Sequence, residues 1–227
     1  MSKKLFVVGT GTDVGKTYVT ALIVKKMRES KKKVAYYKAA MSGNDRNQYG
    51  ELVPGDAEYV KRVSGITQPL DTMCKYIYEK PLSPHLASTL ENKLISFNKV
   101  TSDFDKLSDK YDFLTVEGSG GIICPLRLDD EEIWLEDFIK EKDFPCVLVA
   151  DAGLGTINAV VLTVEYMKMK NISLKGIIFN NFEQDDIMHQ DNLKVCEMMT
   201  GMKIVACVKN GDEHLEISGD LLESLYE

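Results

Sequence analysis

Lys3-Lys4-Leu5-Phe6-Val7-Val8 runs directly into Gly9-Thr10-Gly11-Thr12-Asp13-Val14-Gly15-Lys16-Thr17, and an amphipathic segment begins at Lys16. An apolar run, a glycine-studded turn and a helical pattern, in that order, predict strand, loop and helix. Consecutive backbone N–H groups in such a loop, backed by the positive end of the helix dipole, converge on phosphate oxygens. The lysine reaches the terminal phosphates, and the hydroxyl after it suits magnesium. The spacing departs by one residue from the common G-x-x-x-x-G-K-[ST] pattern: the first glycine position holds Thr10, and Gly9 lies one residue earlier. A glycine turn with no nucleotide role is the bland alternative. The order strand, Gly-Lys-Thr, helix speaks against it.

Outward from this loop the pattern repeats. Val19, Leu22, Ile23 and Met27 recur at the spacing of a helix lying on a sheet. Val34–Tyr37 reads as a second strand ending at Lys38, and the polar stretch from Met41 to Pro54 as a long loop. A short helix follows from Asp56 to Val63, then a strand over Cys74–Tyr78 and a helix starting at Ser83-Pro84. Further on, a helix around Asp103–Ser108 precedes the strand Phe113–Val116, which runs into Glu117-Gly118-Ser119-Gly120-Gly121. Trp134–Lys142 reads as helix, and Pro145–Ala150 is a continuous apolar run of the kind covered on both faces of a parallel sheet. Gly153-Leu154-Gly155-Thr156 leads into a helix reaching about Lys168. Gly176–Phe179 (strand, to Asn180), Ile187–Met199 (helix), Ile204–Val208 (strand) and Leu221–Tyr226 (helix) complete the pattern. The alternation predicts one α/β domain over residues 1–227, a P-loop NTPase-like fold with a mostly parallel sheet and helices on both faces. In such a sheet the carboxyl ends of the strands line one crevice, so Lys38, Glu117, Gly153–Thr156 and Asn180 converge there.

Composition narrows the function classes. A net charge of −7, with Lys31-Lys32-Lys33 the one basic run, argues against nucleic acid as the main partner. Five scattered cysteines without a C-x-x-C pair predict reduced thiols rather than a disulfide frame or metal knot. No stretch approaches a membrane span or a signal peptide, so a soluble cytoplasmic protein is expected.

Several residues stand out chemically. Thr17 is the magnesium ligand by position. Glu117 closes an apolar strand where a P-loop protein commonly places an acid near the metal. Asp56, before Ala-Glu-Tyr, reads equally well as a second metal carboxylate or as a helix N-cap. Lys38 would put a second positive charge beside Lys16, and at about 4 Å and an effective dielectric of about 20 each charge pair is worth about 4 kcal/mol. His85 reads as structural, His189 and His214 as exposed, and Asp129-Asp130-Glu131-Glu132 as a solvated turn.

Taken in order, these segments resemble dethiobiotin synthetase. The resemblance is carried by the extended loop 9–17, Tyr37-Lys38 with Ser42-Gly43, Gly55-Asp56-Ala57, Leu82-Ser83-Pro84-His85, Val116–Gly121, Gly153–Asn158 and Asn180. The extra loop residue is a trait of that family. The resemblance implies ATP and Mg2+ as cofactors, with 7,8-diaminononanoate and CO2 or bicarbonate as substrates. A carbamate forms on one amine, attacks the γ-phosphate to give a carbamic-phosphoric anhydride, and is closed to a cyclic urea by the second amine. It further implies that Lys16, Lys38, Thr12 and Ser42 serve catalysis and the carbamate, and that Thr17, Asp56 and Glu117 hold magnesium. The nucleotide would rest on Asp13, Val14, Gly15, Lys16, Thr17, Glu117, Gly118, Gly120 and Asn180, the last against adenine. Gly155, Thr156 and Asn158 would hold the substrate carboxylate across a homodimer interface. Ala159 stands where many relatives have histidine, and Val205–Asn210 lacks the proline with which they close over the base. A MinD/ParA-like switch ATPase is the nearest rival, but it carries an additional lysine early in the loop. A cobyrinate-type synthetase would need a glutaminase domain, for which there is no room.

Overall fold

The computed structural model describes residues 2–227. Its elements are β1 (Lys3–Gly9), α1 (Lys16–Glu29), β2 (Val34–Met41), α2 (Gly55–Ser64), β3 (Cys74–Ile77), α3 (Pro84–Leu90), α4 (Phe97–Ser108), β4 (Phe113–Glu117), β5 (Pro125–Leu128), β6 (Glu132–Trp134), α5 (Leu135–Glu141), β7 (Cys146–Asp151), α6 (Thr156–Met169), β8 (Leu174–Asn180), α7 (Ile187–Thr200), β9 (Ile204–Val208) and α8 (Gly219–Ser224). Seven strands form one sheet in the order β3-β2-β4-β1-β7-β8-β9, and every neighbouring pair is parallel.

The two-residue period of each strand divides the core. Leu5 and Val7 of β1 pack with Val19, Leu22 and Ile23 of α1, Ala57 and Val60 of α2 and Leu222 of α8. Phe6 and Val8 face the opposite layer, with Phe104 of α4, Phe138 of α5, Val164 of α6 and Cys196 of α7. Helices therefore cover both faces, as expected. Leu5 to Val8 are fully buried, and burying each such side chain is worth about 1.5–3 kcal/mol. Phe6, Phe138, Phe104 and Phe144 meet with ring centroids 5.1–6.3 Å apart, mostly edge to face.

Four features differ from expectation. β2 continues three residues past Lys38, because β3 pairs with it at Lys38, Ala40 and Met41 and supplies hydrogen-bond partners there. α4 begins at Phe97 rather than near Asp103: Val100, Phe104 and Leu107 form its buried stripe. The acidic run is an exposed turn, as expected, but it lies at the tip of an antiparallel hairpin of β5 and β6 that the pattern does not reveal. Its turn is held by Arg127 to Asp129 (2.8 Å) and Glu131 (2.5 Å). The last helix spans Gly219–Ser224, two residues earlier than the pattern predicts, with Ser218 Oγ accepting from the Leu221 N–H.

All five cysteines are unpaired thiols. Among the described residues no helix is long and apolar enough to cross a membrane.

Candidate active site at the carboxyl ends of the strands

β2 and β4 are parallel neighbours, and their register sets Lys38 beside Glu117. Alternation puts both side chains, with Tyr36, on the face that carries α1 and α2. The N-termini of those helices bring Lys16, Thr17 and Asp56 to the same place. Lys38 Nζ donates to Glu117 Oε1 and to Asp56 Oδ2, both at 2.6 Å. Thr17 Oγ1 donates to the same Glu117 oxygen at 2.8 Å. The Tyr36 hydroxyl donates to Glu117 Oε2 at 2.9 Å. Glu117 is 1% exposed and Lys38 6%, so the pair is tolerable only because every charged atom has a partner. Burial pushes the Lys38 ammonium down, and the carboxylates of Glu117 and Asp56 more than offset it, so it stays above its ordinary value. Lys16 has the opposite balance. Burial and the neighbouring Lys38 charge hold its ammonium below its ordinary value.

The loop before α1 is shaped by two glycines. Gly15 caps the helix in the left-handed region at φ 84°. A Cβ there would lie 2.0 Å from Asn180 Nδ2, which donates to the Val14 carbonyl at 3.2 Å. At Gly9 a Cβ would lie 2.8 Å from the Lys16 side chain, which folds back over the loop and donates to the Gly11 carbonyl at 2.6 Å. The loop thus forms a cradle in which a lysine ammonium rests on a backbone oxygen.

These groups border a cleft of about 1040 Å³ that also takes in Thr12, Asp13, Ser42, Gly120 and Ser119. Another wall is Pro81 to Pro84, which leads into α3. The two readings of Asp56 are thereby separated. Pro54 is the cap residue of α2 and Asp56 the second helical residue, so its carboxylate is free to meet Lys38.

Known proteins resemble this chain in sequence and in fold. An AAA domain family model matches residues 3–215. The chain is 47% identical over 227 residues to the ATP-dependent dethiobiotin synthetase BioD of Clostridium botulinum strain 657, covering all of this chain and 99% of that one. It is 44% identical over 208 residues to the protein of the same name from Clostridium perfringens ATCC 13124, covering 92% and 91%. The chain belongs to the ATP-dependent dethiobiotin synthetase family. The fold extends beyond that family. The MinC:MinD cell division protein complex of Aquifex aeolicus is similar at TM-score 0.56 and 12% identity, over 99% of this chain and 86% of that one. A ParA family ATPase from Chlorobium tepidum is similar at TM-score 0.55 and 13% identity, over 99% and 89%.

Not every expected site residue borders the cleft. Gly118 is buried, and a Cβ there would meet Phe6 and Leu135 at 3.0 Å, so its missing side chain serves packing. Val14 contributes its carbonyl to Asn180. Asn180 ends β8 beside Gly15, with Oδ1 buried and without a partner. Gly155, Thr156 and Asn158 begin α6 away from the cleft, and the Thr156 hydroxyl is likewise buried without a partner. The turn after β9 packs back on α1, where the Tyr18 hydroxyl donates to the Asp212 carbonyl at 2.5 Å. Two contributors have no signal in the pattern: Tyr36 reads as an ordinary strand residue and Cys124 as one of five scattered cysteines. Cys124 lines the cleft, and burial pushes its thiol up to about 11.

Proposed function

We infer that the chain is an ATP-dependent dethiobiotin synthetase that converts 7,8-diaminononanoate, CO2 and ATP to dethiobiotin, ADP and phosphate. The carrying observation is the junction of Lys16, Lys38, Thr17, Asp56 and Glu117 in a protein 47% identical to one so named. The residues fit a magnesium nucleotide. Asn180 Oδ1 is an unpartnered buried acceptor suited to an exocyclic amine, and the Gly9 cradle would be filled by any side chain. Among the described residues no three His, Cys, Asp or Glu side chains cluster tightly enough to hold a metal by themselves. A hydroxyl and two carboxylates, with phosphate oxygens and water completing the shell, is the donor set that magnesium favours.

The chemistry asks the protein for positioning and charge neutralisation more than for a base. One amine of the diamine adds to CO2 and loses a proton, giving a carbamate. A carbamate oxygen attacks the γ-phosphorus and ADP leaves. The second amine attacks the carbonyl carbon, the C–O bond to phosphate breaks, and a proton is lost as the cyclic urea forms. Lys16 gives up the Gly11 carbonyl and turns to the phosphates. Lys38 faces the carbamate, with Thr12 and Ser42 donating beside it. Magnesium on Thr17, Asp56 and Glu117 would supply charge neutralisation at the transferring phosphoryl group. Purified protein given Mg-ATP, bicarbonate and the diamine is expected to form dethiobiotin and ADP in equal amounts, read by mass spectrometry. ATP turnover indifferent to the diamine would overturn the assignment.

The substrate carboxylate site at Gly155, Thr156 and Asn158 belongs, on this reading, to a homodimer. Leu154 (94% exposed) and Leu162 (62%) flank it as large apolar side chains open to solvent, as a subunit contact requires. Leu162→Glu is expected to sediment as a monomer, to bind Mg-ADP as wild type does, and to lose most diamine-dependent turnover. A monomeric wild type, or a dimeric, fully active variant, would remove the shared site. Five unpaired thiols suit a cytoplasmic enzyme.

A further inference from the structure

Glu117 divides its two oxygens between different kinds of partner. Oε1 accepts from Thr17 and Lys38, on the side of the cleft. Among the described residues Oε2 accepts only from the Tyr36 hydroxyl, on the side of the core. Tyr36 is fully buried and projects from β2 two residues before Lys38. Its main chain is clamped as well. Gln68 Oε1 accepts from the Tyr36 N–H at 2.8 Å, and Gln68 Nε2 donates to the Tyr36 carbonyl at 3.0 Å. β3 pairs with β2 only from Lys38 onward, so the Gln68 amide takes the place of one more strand residue. Gln68 is itself 1% exposed, and its Nε2 also donates to Thr72 Oγ1 at 3.1 Å.

We propose that Tyr36 is a positioning residue that ties down Glu117 Oε2 and so presents Glu117 to the metal through Oε1 alone. The proposal rests on the reading of the cleft as a magnesium–nucleotide site. A glutamate is flexible enough to turn both oxygens toward a cation, and that two-oxygen mode suits the larger, more loosely coordinated calcium ion. Magnesium demands compact octahedral geometry. A carboxylate held to one oxygen, next to the Thr17 hydroxyl, therefore selects for magnesium.

The test compares wild type with Tyr36→Phe, which keeps the ring and removes the hydroxyl. Binding of Mg2+ and of Ca2+ to the protein–ADP complex is measured by titration calorimetry, alongside thermal stability. Loss of one hydrogen bond to a charged group should weaken Mg2+ binding about tenfold. Ca2+ binding should weaken less, so the Mg2+ to Ca2+ preference falls. In turnover the Mg2+ concentration for half-maximal rate should rise. An unchanged preference, with or without a lowered melting temperature, reduces Tyr36 to a packing role and overturns the proposal. If Tyr36→Phe does not fold, Gln68→Leu removes the clamp while leaving the hydroxyl, and is expected to shift the preference the same way by a smaller factor. An unchanged preference there overturns it equally. A wild type that forms dethiobiotin and binds Mg2+ isolates the outcome to Tyr36. A wild type–ADP complex that binds no Mg2+ overturns the metal site and the positioning role together.

Discussion

Lys38→Gln should bind ADP nearly as wild type does and form dethiobiotin at no more than about one thousandth of the wild-type rate, the scale set by losing a preorganised charge at a reacting group. Among the described residues the side-chain hydrogen bonds of Lys38 go to Asp56 and Glu117 and not to the loop of residues 9–17, so on the proposed reading nucleotide binding need not follow its loss. Glutamine can donate a hydrogen bond but cannot neutralise the developing anion. The substitution should also lower stability. Glu117 is wholly buried and, among the described residues, Lys38 is the one cation on it, and removing one partner of a buried ion pair costs about 3–5 kcal/mol. The Asp56 arm adds little, because that carboxylate is 39% exposed and water screens it. Single-turnover assays and thermal melts, run with and without Mg-ADP, separate the two effects. Near wild-type turnover would remove Lys38 from the chemistry. A melting temperature equal to wild type would show Glu117 to be satisfied without it.

Gly15→Ala is expected to cost more than Gly201→Ala, although both glycines have a similar backbone shape, at φ 84° and φ 70°. Gly201 ends α7 with nothing within 4 Å of a Cβ, so alanine there meets only left-handed strain, about 1–2 kcal/mol. At Gly15 the same strain is joined by a clash with Asn180 Nδ2 at 2.0 Å. Relief requires Asn180 to leave the Val14 carbonyl, and the loop loses the contact that shapes it. We expect about 3 kcal/mol of lost stability and at least a tenfold loss of ADP affinity, against unaltered affinity in Gly201→Ala. Chemical denaturation and ADP titration of the two variants decide it. Equal losses in both, with affinity kept, would mean that Asn180 does not hold the loop.

Much of this was legible because it is local. A strand, a turn and a helix lie within the first thirty residues, and their signals need only neighbours in sequence: the apolar run at Leu5–Val8, glycine at 15, the stripe from Val19. The long apolar run at Pro145–Ala150 likewise shows itself as a central strand. What the pattern hides is non-local. Nothing near Lys38 indicates that β4 will arrive beside it in the register that faces Glu117, or that Gln68 will lend its amide to Tyr36. β2 runs on past Lys38 because β3 pairs there, a cause more than thirty residues away. The hairpin of β5 and β6 escaped for a different reason. Its strands are short, bulged between Pro125 and Arg127, and carry little alternation. Asp56 shows the limit most clearly, since its two readings differ only in where Pro54 lets the helix begin.

The sheet order has a consequence for how the molecule is made. β1 is synthesised first but sits in the centre, between β4 and β7, so its partners begin more than a hundred residues later. The loop that follows it is held by Asn180, 166 positions on from Val14. Lys4 exchanges backbone hydrogen bonds with Glu227, and Tyr226 bonds to Thr115 across 111 positions. The opening segment therefore completes its pairing only once Glu227, 223 positions on from Lys4, has been made. Contacts of such separation slow folding, because distant pieces must be brought together before any of them is rewarded. Until β4 and β7 have been made, Leu5-Phe6-Val7-Val8 is an apolar strand with unpaired edges. This is the stretch from which aggregation during synthesis would start.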